Sequence, residues 1–390
     1  MKISSVEALV TAPPREFVFA KVTTSTGLVG YGEAESDGAP AVRVKSLERM
    51  GKSILGMDPM NTEKIYTYLN RCFFFGWPPE ALMRCIGAID EALLDIKGKA
   101  LHTPVYNLLG GKFRDKIQLY CHIWHSREER ENVAKITPDM MAQGAKRQVK
   151  HGYGVIKFDP FTTVYHQEVV TPSKGFVNIY QGMNYPRKLV PKAIAMVQAV
   201  RDAVGPDIGL CLDFHGRLDV ESAIRIGRLL EPFDLFFYEE PLPPGDDEEL
   251  AYVRSRVNIP ICVGERRYTL RDFRRLFELQ ATDIIMPDHA RNGGITQIKK
   301  VADLADTFRI PVAPHVVYSS PLNAVIGAHN MASIPNFLIH ENMGPQRMKH
   351  YADLLKPQVL PDNGYLIVPD KPGLGVELVE ENLDKPRPAL

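Results

Sequence analysis

Apolar and polar residues alternate with a period of two at the start of the chain, in "KISSVEALV", "FVFAKVTT" and "LVGYGEA". Successive side chains of a strand face opposite sides of a sheet, so this pattern predicts strands, with a turn at "STG". The glycines of "GLVGYGE" fit such a hairpin better than a dinucleotide loop, since no helix follows them directly. The period then lengthens. Helical spacing governs about 40–55, 61–71 and 79–101, the last with Pro78 and Pro79 at its start and apolar residues at i, i+3 and i+4 in "AIDEALLDIKGK". Residues 1–115 read as a small α+β domain.

From residue 116 short apolar runs alternate with amphipathic stretches. The runs are "IQLYCHI", "GVIKFD", "IGLCLDF", "LFFYEE", "PICVGE", "DIIMPD", "IPVAPH" and "NFLIHE"; "PKAIAMVQAVRDAV" and "ITQIKKVADLADTF" are typical of the helical stretches between them. Eight strand candidates alternating with helices over 116–349 predict a closed parallel (β/α) barrel rather than an open sheet. The helix expected after the eighth run is weak. The chain instead ends in "YLIVPD" and "PGLGVELV", strand-like pieces placed to return to the N-terminal domain, so residues 350–390 are expected to complete it. Residues 161–188 form a long connection without clear periodicity, a length that goes with function or mobility. It is expected to lie over the barrel mouth, where Tyr165, His166 and Tyr180 are candidate substrate contacts or simple packing, and to set stereochemistry together with the loop near 12–24.

Composition changes this picture little. The 390 residues are 45% hydrophobic and 24% charged, with a formal net charge of zero, so charge argues for neither nucleic acid nor membrane. The densest basic stretch, "RRYTLRDFRR", reads as a solvated helix face. Five cysteines without a CxxC read as buried thiols from a reducing compartment. With no apolar h-region near the start and no run of 18 apolar residues, a cytoplasmic protein is expected.

The chemistry lies at the ends of the apolar runs. Runs two to seven end in Lys157 and Asp159, Asp213 and His215, Glu239 and Glu240, Glu265, Asp288, and His315, and Glu341 closes the eighth. Strand C-termini of a barrel converge on one face, where catalytic residues gather. Helix capping would explain one such residue, not the series. Asp213, Glu239 and Glu265 are spaced at two equal intervals of 26 residues. Three carboxylates aimed at one point repel one another unless a cation lies between them, and hard oxygen donors suit Mg²⁺. Separate N-caps are the alternative, although Pro241 after Glu240 suits a loop better. Asp288 and His315 fall on adjacent strands, where a carboxylate orients an imidazole as a general base or merely forms a structural hydrogen bond. On an extended strand Asp213 and His215 point to one side, roughly 6.5–7 Å apart. His215 would then project over whatever the metal binds, leaving a substrate carboxylate between His215 and His315.

With these residues in place, the chain resembles the mandelate racemase-like branch of the enolase superfamily over nearly its whole length. The matching features are the acids in "LDF", "YEEP" and "VGER", then "MPD", "APH", "NGGIT" and "PGLGVE", with "AIDEALLDIKGKALHTPVYNLLGG" similar to the family's cap signature. The resemblance implies a (β/α)7β modified TIM barrel under an α+β capping domain built from both termini. It implies Mg²⁺ on Asp213, Glu239 and Glu265, Asp288–His315 as base, and a protonated Glu341 donating to the superfamily's known ene-diolate. A proton beside a carboxylate is some twenty-odd pKa units less acidic than imidazolium, roughly 30 kcal/mol, so base and metal are both needed.

Racemases and cycloisomerases of this branch carry Lys-x-Lys on the second strand, whereas this chain has "KFD", with Asp159 in place of the second base. "DFHGR" resembles galactonate dehydratases and "KFDPF" gluconate dehydratases, in which the histidine two residues after the first metal ligand is the general acid. The implied reaction is dehydration of D-gluconate or D-galactonate to a 2-keto-3-deoxy acid, with His315 as base and His215 as acid. Lys157 would neutralise substrate or ligand charge, or form a structural salt bridge to a metal-site acid. The rivals are an epimerase or cycloisomerase, and a non-catalytic sugar-acid-binding relative. A small-molecule acid sugar is the expected partner, and a homo-oligomer is expected because family relatives commonly are.

Overall fold

The computed structural model describes residues 1–35, 39–74, 76, 79–123, 136–168, 185–316 and 319–387. Strands β1 (Ile3–Val10), β2 (Val18–Thr24) and β3 (Val29–Ala34) form an antiparallel sheet in that order. Helices α1 (Pro40–Ile54), α2 (Thr62–Phe73) and α3 (Pro79–Ala100) close one core with it through Leu47, Leu69, Ile89 and Ala92. The glycines of "GLVGYGE" make this packing possible. A Cβ at Gly30 or Gly32 would stand 2.1 Å from the carbonyl oxygens of Ala92 and Ala88, so only glycine lets α3 settle on the sheet. A short helix α4 (Val105–Leu108) leads to the second unit.

Strands β4 (Lys116–His122), β5 (Val155–Phe158), β6 (Gly209–Asp213), β7 (Phe237–Glu239), β8 (Ile261–Val263) and β9 (Ile284–Ile285) pair in parallel in chain order. Val312 holds the seventh place by single parallel bridges to Ile285 and Phe337. β10 (His340–Asn342) pairs in parallel with β4 and closes the ring. Around it run α5 (Pro138–Lys150), α6 (Pro160–Glu168), α7 (Val190–Val204), α8 (Val220–Leu230), α9 (Asp247–Arg254), α10 (Leu270–Glu278), α11 (Gly294–Thr307) and α12 (Pro321–Ala332). Among the described residues the one α-helix after the eighth strand is the six-residue α13 (Pro345–His350), which makes the barrel (β/α)7β.

A cluster of Tyr120, Val155, Cys211, Phe237, Cys262, Met286, Ala313 and Ile339 draws on every strand position, with Ile284 as a second residue from the sixth. Two residues further on stand His122, Lys157, Asp213, Glu239, Asp288, His315 and Glu341. Because side chains alternate with a period of two, these polar residues face the same side, one layer nearer the strand C-termini. Glu265 breaks the spacing by one position, after Gly264 with its φ of 149°.

Several expectations need correction. "YLIVPD" holds β12 (Tyr365–Ile367), which pairs antiparallel with β4 of the barrel rather than with the N-terminal sheet. The tail's β13 (Glu377–Leu378) pairs with β11 (Leu355–Lys356), while Leu374, Val376 and Leu378 pack against Phe17, Phe19 and Tyr31. The 161–188 connection begins as helix α6, and Tyr165 on it is buried in the barrel core beside Tyr185. Residues 169–184 with Tyr180, and the His166 side chain, lie outside the described residues. Of "RRYTLRDFRR", Arg271, Arg274 and Arg275 are solvated, but Arg266 and Arg267 turn inward to Glu265 and Asp247. Four cysteines are buried and Cys72 is exposed. Among the described residues no helix is long and apolar enough to cross a membrane.

Candidate active site

β6 and β7 pair so that Asp213 lies opposite Glu239. On the neighbouring β5, Lys157 is fully buried, with Nζ 2.7 Å from Glu239 Oε1, 2.7 Å from Glu341 Oε1 and 3.5 Å from Asp213 Oδ2. Burial opposes its charge, but the three carboxylates outweigh burial and hold the ammonium well above its ordinary range. Burial and then the Asp213 charge push Glu239 well up. Asp213 is held low against burial by His215 and Lys157. Glu265 is held well below the usual carboxylate range, again against burial, by His315, Arg291 and Arg266. Its oxygens lie 2.8 Å from His315 Nε2, 3.2 Å from Arg291 Nη1 and 3.2 Å from Arg266 Nη2.

None of the three acids caps the helix that follows it. Those caps are Asp219 and Asp246, whose side chains accept backbone N–H bonds at the starts of α8 and α9, and Thr269 of α10, whose own N–H donates to Asp272. Among the described residues, no three His, Cys, Asp or Glu side chains are already grouped as a metal cage. Lys157, His315, Arg266 and Arg291 share out the acids' charge instead. The donors still fit a hard divalent cation. They are buried carboxylates on consecutive strands, Asp213 raises the energy of an ionised Glu239, and Glu239 Oε2 has no hydrogen-bond partner among the described residues.

On the opposite flank, His315 Nδ1 is 2.7 Å from Asp288 Oδ2, and the Ala290 N–H donates to Asp288 Oδ1 at 2.9 Å. An ionised Asp288 accepts only, so Nδ1 carries the proton and Nε2 faces the acids. Burial disfavours the imidazolium, but Glu265, Glu341 and Asp288 together hold His315 well above its ordinary range. Glu341 accepts the Val316 N–H at Oε2 (2.8 Å) and meets Lys157 at Oε1.

His215 departs from the extended geometry expected of it. Its φ is 51°, a left-handed turn that brings its backbone N–H to 2.9 Å from Asp213 Oδ1 and ring Nε2 to 3.3 Å from Asp213 Oδ2. Its Nδ1 meets Asp159 Oδ2 at 3.0 Å. Asp159 also accepts from Arg217 (3.2 Å) and from the Thr162 N–H (2.8 Å), and these neighbours, His215 foremost, hold it low despite burial. The His215 side chain is 29% exposed and that of His315 only 4%, so His215 is the imidazole open to the mouth.

The sequence reading missed His122, Arg217, Arg266, Arg291 and Glu35. His122 ends the first run in the same register as the other polar residues and could have been found by the same rule. Burial and the Lys157 charge hold it well below its ordinary range. Arg217 sat unassigned within "DFHGR". An arginine or glutamate in a loop reads as solvated, so nothing in the pattern marked Arg291 or Glu35.

A capped parallel barrel whose mouth gathers three acids, a buried lysine and an aspartate-seated histidine defines an enzyme of the enolase-superfamily type. Residues 4–110 match the "Mandelate racemase / muconate lactonizing enzyme, N-terminal domain", and residues 139–382 match the "Enolase C-terminal domain-like" family. The chain belongs to the mandelate racemase/muconate lactonizing enzyme family of that superfamily. It is 33% identical over 379 residues to a D-xylonate dehydratase from Haloferax volcanii, covering 97% of this chain and 87% of that one. It is 32% identical over 387 residues to a D-galactonate dehydratase from Pectobacterium atrosepticum, covering 98% and 93%. A crystal structure of an enolase superfamily member from Salmonella Typhimurium superposes with a TM-score of 0.88 at 33% identity, over 98% and 97% of the two chains.

Proposed function

We propose that this chain is a Mg²⁺-dependent hydro-lyase that dehydrates a sugar acid of the D-gluconate or D-galactonate class to its 2-keto-3-deoxy product. The observation that carries the reading is a pair of imidazoles, each seated on its own aspartate, at the rim that holds the acids: His315 on Asp288 and His215 on Asp159. Asp213, Glu239 and Glu265 would hold the cation, which when bound supplies positive charge to the substrate carboxylate and lowers the cost of removing the C2 proton. His315 takes that proton at Nε2 in its neutral form, after Nε2 has lost its proton and its pairing with Glu265. His215 gives a proton to the C3 hydroxyl, so the C2–H and C3–O bonds break, water leaves, and the enol relaxes to the ketone. Lys157 keeps charge balanced beneath the acids, and Glu341 lies beside it facing His315, with Nε2 3.8 Å from Oε2.

The xylonate and galactonate dehydratases among the relatives support dehydration and keep a five-carbon acid in the substrate panel. Against an epimerase or cycloisomerase, the second-strand position of a lysine base holds Asp159, already engaged with His215 and Arg217. Incubation with a panel of aldonates and Mg²⁺ in D₂O tests the reading. A 2-keto-3-deoxy acid is expected, and deuterated diastereomers of the substrate without it would instead mark an epimerase. His215→Asn should abolish dehydration while C2 exchange persists; full dehydration by that variant would remove His215 from the mechanism.

A further inference from the structure

A chain of buried ion pairs runs from the N-terminal region into the acid cluster. Glu35 directly follows β3 and is 1% exposed. Arg291 grips it in a fork, with Nε 2.6 Å from Oε2 and Nη2 2.9 Å from Oε1. The third nitrogen of the same guanidinium, Nη1, reaches Glu265 Oε2 at 3.2 Å and the Glu265 carbonyl at 3.5 Å, while Nε lies 3.6 Å from Asp288 Oδ2. Glu35 Oε2 is also paired with Arg84 Nη1 on α3, and Arg84 Nη2 meets the half-exposed Glu80 at 2.6 Å. The Arg43 side chain donates to the Glu35 carbonyl at 3.1 Å, which fixes the backbone at this point.

We infer that Arg291 is a positioning residue whose charge is divided between Glu35 and Glu265, so that Glu35 sets how readily Glu265 is released to a divalent cation. The inference rests on the reading of Asp213, Glu239 and Glu265 as a metal site. Its physical basis is competition. A cation must take Glu265 from Arg291, and each carboxylate that shares the guanidinium weakens its hold on the other. Removing the charge of Glu35 leaves Arg291 to lean on the site acids alone. Removing Arg84 does the opposite, because all of the Glu35 charge then faces Arg291. Arg84 and Arg291 each keep another carboxylate partner when Glu35 is neutralised: Glu80 for Arg84, and Glu265 for Arg291.

The test is binding of Mn²⁺ to the metal-free full-length chain, followed by electron paramagnetic resonance or calorimetry. Glu35→Gln should weaken Mn²⁺ binding roughly tenfold, the low end for residues directly behind a metal ligand, since Glu35 acts through Arg291. Arg84→Gln should tighten it several-fold, and Arg291→Gln should tighten it or relieve the loss in the Glu35→Gln background. A purely structural chain would lower thermal stability in all variants and leave Mn²⁺ affinity unmoved or shifted with one sign, which overturns the inference. If Glu35→Gln does not fold, as judged by circular dichroism, the sign of the Arg84→Gln shift decides alone. Absence of Mn²⁺ binding in the unaltered chain would overturn the metal-site reading and this inference with it, whereas unchanged affinities beside normal binding overturn only the inference.

Discussion

At the floor of the acid cluster one ammonium group meets three carboxylates, and its removal would expose their repulsion. Truncating one partner of a buried charge pair typically costs about 3–5 kcal/mol, because the other charge is left unpaired. Lys157→Met should therefore melt at a lower temperature than the unaltered chain in chelator. Added Mg²⁺ should raise the variant's melting temperature by the larger amount, as a bound cation takes over the lost positive charge. Equal Mg²⁺-dependent shifts would show that the lysine does not balance the metal-site acids. Asp159 supports two structures at once, since it accepts the Thr162 N–H at the start of α6 and meets His215 Nδ1. Asparagine keeps the first role, being as good a helix cap as aspartate, and loses the charge. Asp159→Asn should fold normally while kcat for dehydration falls by roughly two orders of magnitude, the scale of a misplaced general acid. An unchanged kcat would reduce Asp159 to a helix cap. Lys157, Asp213, Glu239, Asp288, His315 and Glu341 were legible because strand periodicity places each two residues beyond a lumen side chain, whereas Glu265, one position further on, was legible only as the end of its run. The left-handed turn at His215 was not, since nothing in the letters of "DFHGR" marks a non-glycine residue with positive φ.

The elements show where pattern suffices and where only packing decides. The three N-terminal helices fall within a few residues of their predicted spans, because each has a sustained apolar stripe that one sheet face can bury. The glycines of β3 were ambiguous, since the same spacing serves a phosphate loop, a hairpin or a tight helix–sheet contact. The antiparallel pairing of β2 with β3 bears out the hairpin, and the contact with α3, which the letters did not show, can be tested. Gly32→Ala would place a methyl group 2.1 Å from the backbone oxygen of Ala88, which cannot yield as a flexible side chain would. A loss of roughly 1–3 kcal/mol or more in urea unfolding is expected, as for overpacked cores. Gly154→Ala, with nothing within 4 Å of the added carbon, should stay within about 0.5 kcal/mol of the unaltered chain. Similar losses in both would refute the packing account. Of the tail, only "YLIVPD" was misassigned, for a related reason, while Leu374, Val376 and Leu378 do pack on the N-terminal sheet. "YLIVPD" carries strand character without a partner written into it, and it pairs with Lys116–Gln118 at the start of β4, which β5 and β10 leave unpaired.

Across the whole molecule, the seam between the N-terminal sheet and the barrel buries carboxylates that act on stability rather than on catalysis. Glu33 accepts the Ser320 N–H at 2.8 Å and its hydroxyl at 2.5 Å, at the start of α12. Burial dominates nonetheless and, with the charges of Glu35 and Asp288, pushes Glu33 from 4.5 to about 8. Asp90 and Asp95, buried in the same region, are pushed to about 6. Between pH 4.5 and 8 the folded protein thus keeps a proton on Glu33 that the unfolded chain releases. Rising pH then favours unfolding, by up to about 1.4 kcal/mol per pH unit where the two states differ by one proton. The contribution of Glu33 is most favourable below pH 4.5, declines through this window and levels off above about 8. Glu33→Gln, neutral at every pH and able to accept the same N–H bond, removes that dependence. Urea unfolding at pH 5, 6, 7 and 8 should show the unaltered chain losing stability relative to Glu33→Gln at each step. The step from 7 to 8 is the most informative, because Asp90 and Asp95 are largely ionised there. Parallel pH profiles for the two proteins would mean that Glu33 is already ionised in the fold and that its hydroxyl and backbone donors outweigh its burial.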